Sequence, residues 1–309
     1  MPSVEFSRPP DARYTGLSGL IDYAGLFPPT ELDMGTAVVE YRAARSGPDS
    51  WIVDRFLCPV GRLVELAGIL TSTMSPGEAP WRVSAIAGAE TGLEGEVHAV
   101  DSFDSEMRGG ALVERVEVRV PAADLAAWAA GALEMFDRFV FFEIPWRIDL
   151  DTALDGLVAA REGTRRALGA KIRTGGHTPD DFPPPDVVAA FLLGCRHRSL
   201  PMKATAGLHH PIRHVDPATG FTQHGFLNLL CAAALAVHGE DPATLAAVVA
   251  DDDPEAFTFD RSGLRWRDHL ATAADLQAAR SGLFVGYGSC SFDEPVDDLT
   301  GLGVLPVGS

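Results

Sequence analysis

The chain has 309 residues, 46% of them apolar, and a formal net charge of −18. That is enough apolar material for one large α/β barrel or two ordinary domains. The acidic balance disfavours nucleic acid and anionic lipid as partners, and no stretch nears the roughly 20 apolar residues that span a bilayer.

The N-terminal residues show no basic segment followed by an apolar run, so no secretory signal is expected. Cys58, Cys195, Cys231 and Cys290 are scattered without CxxC spacing. They suit a reduced cytoplasmic location better than a disulfide framework or a zinc knuckle, and Cys195, Cys231 and Cys290 read as core residues.

Eight apolar segments have the length and composition of buried strands. In chain order they are Leu17–Tyr23, Trp51–Leu57, Arg82–Ala87, Arg115–Val120, Arg138–Ile144, Leu168–Arg173, Leu200–Thr205 and Leu283–Tyr287. Alanine- and leucine-rich stretches of helical period lie between most of them: Met34–Ser46, Val60–Thr71, Ala122–Phe136, Leu150–Arg166, Pro185–His197 and Arg267–Ser281. Asp124 and Asp149 fall in first turns, and Pro184–Pro185 starts a helix. Strands alternating with helices imply a parallel sheet, and eight such units predict a (β/α)8 TIM barrel, one domain over residues 1–309. Gly88–Gly110 is weakly periodic. Between the seventh and eighth strands, residues 209–266 read as an insertion or lid, with helices near Phe226–Val237 and Pro242–Ala250.

Only two lysines occur, Lys171 and Lys203, against 23 arginines. Arginine stays protonated, whereas a buried lysine can lose its proton and act as a nucleophile. Both lysines end short strands that lead into glycine-bearing loops, where barrel enzymes carry their catalytic groups. Two ammonium groups sharing a dry site should push one pKa toward neutrality. A neutral lysine can then form a Schiff base with a carbonyl compound.

Lys171-Ile-Arg-Thr-Gly and Lys203-Ala-Thr-Ala-Gly resemble the paired lysine motifs of the deoxyribose-phosphate aldolases and other class I aldolases. The resemblance implies that Lys171 forms the Schiff base and Lys203 lowers its pKa. Leu20-Ile21-Asp22-Tyr23 is similar to the family's first-strand motif and implies Asp22 as a polar active-site residue. Arg115-Val116-Glu117-Val118 stands where the family has a proton-transferring acid, implying that role for Glu117. Gly286-Tyr287-Gly288-Ser289 looks like its last-strand turn. Gly176 and His209 replace basic residues that hold phosphate in the family, so the expected substrate is a small carbonyl compound other than deoxyribose phosphate.

Further candidates come from the residues themselves. Glu143, at the end of a very apolar strand, needs a partner and could balance Lys171 or act as a base. Arg173 alternates with Lys171, and Arg173 and Arg213 suit an anionic group. Thr174, Thr205, His209, His210, Gly288 and Ser289 complete the substrate-binding set. The reading requires no cofactor and no metal. Its only partner is the small molecule, with a homodimer as the general prior. Two alternatives stand beside this lyase. One is a metal-dependent lyase, isomerase or hydrolase using the His209–His224 loop with Glu143 or Asp22. The other is a non-catalytic ligand-binding barrel.

Overall fold

A computed structural model describes residues 11–88, 93–120 and 125–306. Eight parallel strands close a barrel: β1 (Ile21–Tyr23), β2 (Val53–Pro59), β3 (Trp81–Ala87), β4 (Ala111–Arg119), β5 (Phe139–Ile144), β6 (Leu168–Arg173), β7 (Met202–Thr205) and β13 (Phe284–Ser289). Neighbours follow chain order around the ring, and β13 closes it between β7 and β1. The expected TIM barrel is therefore the fold. Each strand leads to an outer helix: α2 (Met34–Ser46), α3 (Leu63–Thr73), α4 (Glu94–Glu106), α5 (Leu125–Met135), α6 (Leu150–Thr164), α7 (Pro185–His197), α8 (Phe226–His238) and, after β13, α11 (Asp293–Gly301).

Local chemistry explains several helix starts. The Asp33 and Asp149 side chains accept hydrogen bonds from the amides of Thr36 and Thr152, so Asp149 is an N-cap one step before the first turn. Pro185 opens α7 at a position where a missing N–H costs nothing. Ala122 and Asp124 lie outside the described residues.

Three sequence expectations need correcting. Leu17 ends a helix, α1 (Ala12–Leu17), and the first strand begins only at Ile21. The weakly periodic Gly88–Gly110 region contains α4, whose outer face is charged enough to blur the period. The segment Arg267–Ser281 splits into a strand, β12 (His269–Thr272), and a helix, α10 (Ala273–Gly282), at an N-capping Thr272 whose partner is Asp275. The C-terminal α11 lies beyond the last expected strand and buries Pro295 and Leu299.

The expected insertion between β7 and the last barrel strand is present. The polar loop holds a short hairpin, β8 (His214–Val215) with β9 (Thr222–Gln223). Beyond it, α9 (Pro242–Ala250) and an antiparallel sheet of β10 (Phe257–Phe259), β11 (Gly263–Trp266) and β12 cover α8. Eleven residues of α8 are buried because the barrel lies on one side and this outer layer on another. A helix apolar all round demands such a sandwich. The sheet reaches down to α1, where Phe259 packs against Gly16. Residues 226–266 thus sit on the flank of the barrel rather than over its mouth. Among the described residues, no helix is long and apolar enough to cross a membrane.

Candidate active site

Strand alternation decides which side chains enter the barrel. On β1 and β2, Tyr23 and Phe56 pack outward against Tyr41 of α2, so Asp22 points inward. On β4, Val116 and Val118 face the helices and Glu117 faces the interior. The register sets Glu143 beside Lys171 and Lys171 beside Lys203 on successive strands.

The result is a chain of buried ions. Glu117 places Oε2 2.8 Å from Lys171 Nζ, and its Oε1 accepts from Lys203 Nζ. Lys171 Nζ also lies 3.0 Å from Glu143 Oε2, and Lys203 Nζ donates to Asp22 Oδ2. The backbone amide of Arg55 holds Asp22 Oδ1 at 2.9 Å, and the Ser84 hydroxyl donates to Glu117 Oε1 at 2.8 Å. Phe141 supplies the apolar floor, its ring centroid 5.5 Å from Lys203 Nζ. Lys171, Lys203, Glu117 and Asp22 are each at most 4% exposed.

Toward solvent, the free side of Glu143 meets two arginines. Its Oε1 is 3.2 Å from Arg173 Nε and 3.4 Å from Arg119 Nε. Arg173 is 42% and Arg119 66% exposed, so both line the rim.

Burial alone would raise the Glu117 carboxyl, but Lys171 and Lys203 outweigh it and hold the group well below the usual carboxylate range. Glu143 is likewise pushed up by burial and pulled down further by Lys171 and Arg173, to about 2. Burial pulls Lys171 down, yet Glu117 and Glu143 overcome it and leave the ammonium harder to deprotonate than a free lysine. This corrects the expectation that two close lysines force one to be neutral. The carboxylate between them is nearer to each than they need be to each other, and opposite charges in contact dominate.

The five residues expected to be catalytic, Lys171, Lys203, Glu117, Asp22 and Glu143, therefore form one connected cluster. Arg173 joins it at the rim. Thr205 and Gly288 are register partners in the next layer up, where a side chain on Gly288 would come within 3.0 Å of Leu57. Thr174 is not at hand for a ligand. Its hydroxyl donates to the carbonyls of Ala206 at 2.6 Å and Thr205 at 3.2 Å. That tie belongs to a tight contact of two loops, in which a Cβ on Gly175 would lie 2.8 Å from Gly207 Cα and Gly207 has φ +67°.

The other candidates lie apart from the lysines. His209 Nδ1 is 3.6 Å from Cys290 Sγ and 3.3 Å from Glu294, and His210 pairs with Asp298 at 2.5 Å. Together with Tyr23 and Glu40, His209, His210 and Cys290 line a cleft of about 580 Å³ outside the barrel wall, which includes neither lysine. The Arg213 amide donates to Asn228, and its side chain faces a second hollow beside Asp252. Ser289 shares the outward face of Tyr287, which stacks on Phe226 of α8. His224 Nε2 donates to the buried Pro183 carbonyl oxygen at 2.7 Å, and burial lowers the pKa of the ring to about 4. The histidines of the loop thus diverge, and no group of three or more His, Cys, Asp or Glu among the described residues is arranged to hold a metal.

Ser84, Arg119, Phe141 and the Arg55 amide were missed by sequence reasoning. Arg119 was accessible to it, since it shares Glu117's face by two-residue alternation. Ser84 is the one hydroxyl inside an apolar strand. The Arg55 amide and the Phe141 floor carried no sequence signal. The chain matches no model of a known protein family and no curated protein.

Proposed function

We propose that the protein is a carbonyl lyase of the Schiff-base type, with Lys171 as the nucleophile. The observation that carries this reading is the Lys171–Glu117–Lys203 relay, two amines on one carboxylate in the dry interior of a barrel. Lys171 is the better nucleophile of the two because its other neighbour, Glu143, borders the rim, whereas Lys203 is closed in by Asp22 and Phe141.

The resting ammonium suits this chemistry. An ammonium and a carbonyl compound give an iminium and water, so the nitrogen bears one positive charge both before and after the reaction. Carboxylates that stabilise the ammonium also stabilise the iminium. Glu143 accepts one proton and frees the lone pair, the Nζ–C bond forms as a second ammonium proton passes to the carbonyl oxygen, and Glu143 returns its proton to the resulting hydroxyl, which leaves as water. Glu117 then holds the iminium and is placed to move a proton at the neighbouring carbon. Lys203 divides Glu117's negative charge and so limits how firmly Glu117 fixes the proton on Lys171.

Borohydride reduction during incubation with acetaldehyde, acetone and pyruvate tests the reading. One adduct of the expected mass on Lys171, absent from Lys171→Arg, supports it. An unchanged protein mass across the panel removes it. A ligand-binding barrel predicts instead that Lys171→Arg and Lys203→Arg leave function intact.

A further inference from the structure

The rim arginines have more donors than the protein uses. Arg173 donates only through Nε, to Glu143, and Arg119 meets the same oxygen through Nε. Among the described residues, the Nη groups of neither arginine are hydrogen-bonded to protein. Both guanidinium groups are partly exposed beside Glu143, the carboxylate that also meets Lys171, and keep donors to spare. In a chain of net charge −18 this is a local reversal of sign. Within the cluster, Arg119, Arg173, Lys171 and Lys203 stand against Asp22, Glu117 and Glu143, which leaves one positive charge unmatched.

We infer that Arg119 and Arg173 clamp the carboxylate of the substrate, which is a short-chain oxo acid. The inference rests on the Schiff-base reading for its chemistry but not for the anion site itself. Planar guanidinium forks match a carboxylate with two parallel hydrogen bonds. The spacing fits as well. One carboxylate, Glu143, touches Arg173 at 3.2 Å and Lys171 at 3.0 Å, so the two nitrogens are separated by no more than roughly 8 Å. A ligand bound to the arginines and attacked by Lys171 is therefore short, with its carbonyl carbon a few bonds at most from its carboxylate. That selects short oxo acids, 2-oxo and 3-oxo acids among them, and excludes long or bulky anions.

The clamp also supplies a trigger. Burial raises the Glu143 carboxyl, and Lys171, Arg173 and Arg119 lower it. An anion that engages both arginines weakens two of those three attractions. Glu143 then becomes a better acceptor for the Lys171 proton at the moment a carbonyl carbon arrives. A neutral carbonyl compound reaches the same lysine without that assistance.

Two measurements separate the clamp from the Schiff base. Oxamate carries the carboxylate of an oxo acid but no ketone, and its binding is measured by calorimetry. Wild-type protein is expected to bind it, and the Arg119→Gln/Arg173→Gln double variant to bind it about 10- to 100-fold more weakly. Both side chains lie at the surface, so circular dichroism should show the variant folded. In the second measurement, borohydride trapping compares pyruvate with methyl pyruvate, its neutral ester. The preference for pyruvate over the ester should fall by a similar factor in the double variant. No oxamate binding, or equal binding by the variant, overturns the clamp whatever trapping shows. Equal trapping of pyruvate and ester in wild-type protein also overturns it and leaves the Schiff base standing. Clamp-dependent oxamate binding with no adduct from any carbonyl compound supports the anion site and overturns the lyase reading.

Discussion

Glu117 and Lys171 meet 2.8 Å apart inside the barrel, and the second oxygen of the same carboxylate is taken by Lys203. The acid is the hinge of the cluster because, among the described residues, it is the one group bonded to both amines. Removing it takes one of two carboxylate partners from each buried ammonium at once. Glu117→Ala is expected to destabilise the protein by about 3–5 kcal/mol, the scale for breaking a buried ion pair. Urea unfolding at neutral pH measures this, and a loss under 1 kcal/mol would show that the cluster is not closed to water.

Glu143→Gln should separate two roles of one residue on a pH–rate profile for adduct formation. Loss of the negative charge lowers the Lys171 pKa, so the limb on which the rate rises as the amine is freed moves to lower pH. Loss of the proton acceptor lowers the plateau by roughly 10²- to 10⁴-fold. A limb that stays in place means Glu143 does not hold the Lys171 proton.

The ion cluster also predicts how stability depends on pH. Glu143 has an ordinary value of 4.5 and sits near about 2 in the fold. A depressed acid contributes fully above its unfolded pKa and loses that contribution as pH falls through its folded one. Acid destabilisation from this group should therefore run from about pH 4.5 down to about 2. Lys171 is raised above 10.5, so its contribution is complete below that value and fades as pH climbs past its folded pKa. Thermal melts across pH 2–11 check both limbs, and Glu143→Gln should flatten the acidic one.

Gly169→Ala tests the floor beneath the lysines. A Cβ there would lie 2.4 Å from Phe141 Cε1 and 2.7 Å from the Pro201 carbonyl oxygen. The aromatic ring can shift but the backbone cannot, so the substitution should cost about 1–3 kcal/mol. Because Phe141 underlies Lys203, adduct formation should slow as well, read by the same borohydride assay.

Thr174→Val distinguishes a loop tie from a substrate contact. Losing the hydrogen bonds to Ala206 and Thr205 should cost about 1 kcal/mol in a melt. KM for any trapped carbonyl compound should stay unchanged; a large rise in KM with no loss of stability would reverse the assignment.

The strand–helix alternation, the eight barrel strands and the two lysines at matching strand ends were all legible, because apolar period and residue rarity are local properties. Legibility stopped where charge had to be counted across strands. Lys171 beside Lys203 on adjacent strands looked like repulsion, and nothing local revealed that Glu117 would lie between them. His209, His210 and Arg213 looked like site residues because they crowd one loop. In the fold His209 and His210 meet Glu294 and Asp298, and the Arg213 amide meets Asn228.

The order of residues alone determined that a parallel barrel forms and that Asp22, Glu117, Glu143, Lys171 and Lys203 occur at strand ends where side chains alternate in and out. Only closure of the ring between β13 and β1 decided which of them share a dry interior, which carboxylate each ammonium meets, and that the rim would carry Arg119 and Arg173. The reason is range: alternation is settled within a few residues, whereas an ion's pKa depends on partners brought from across the chain by register, such as Asp22 and Lys203, separated by 181 positions.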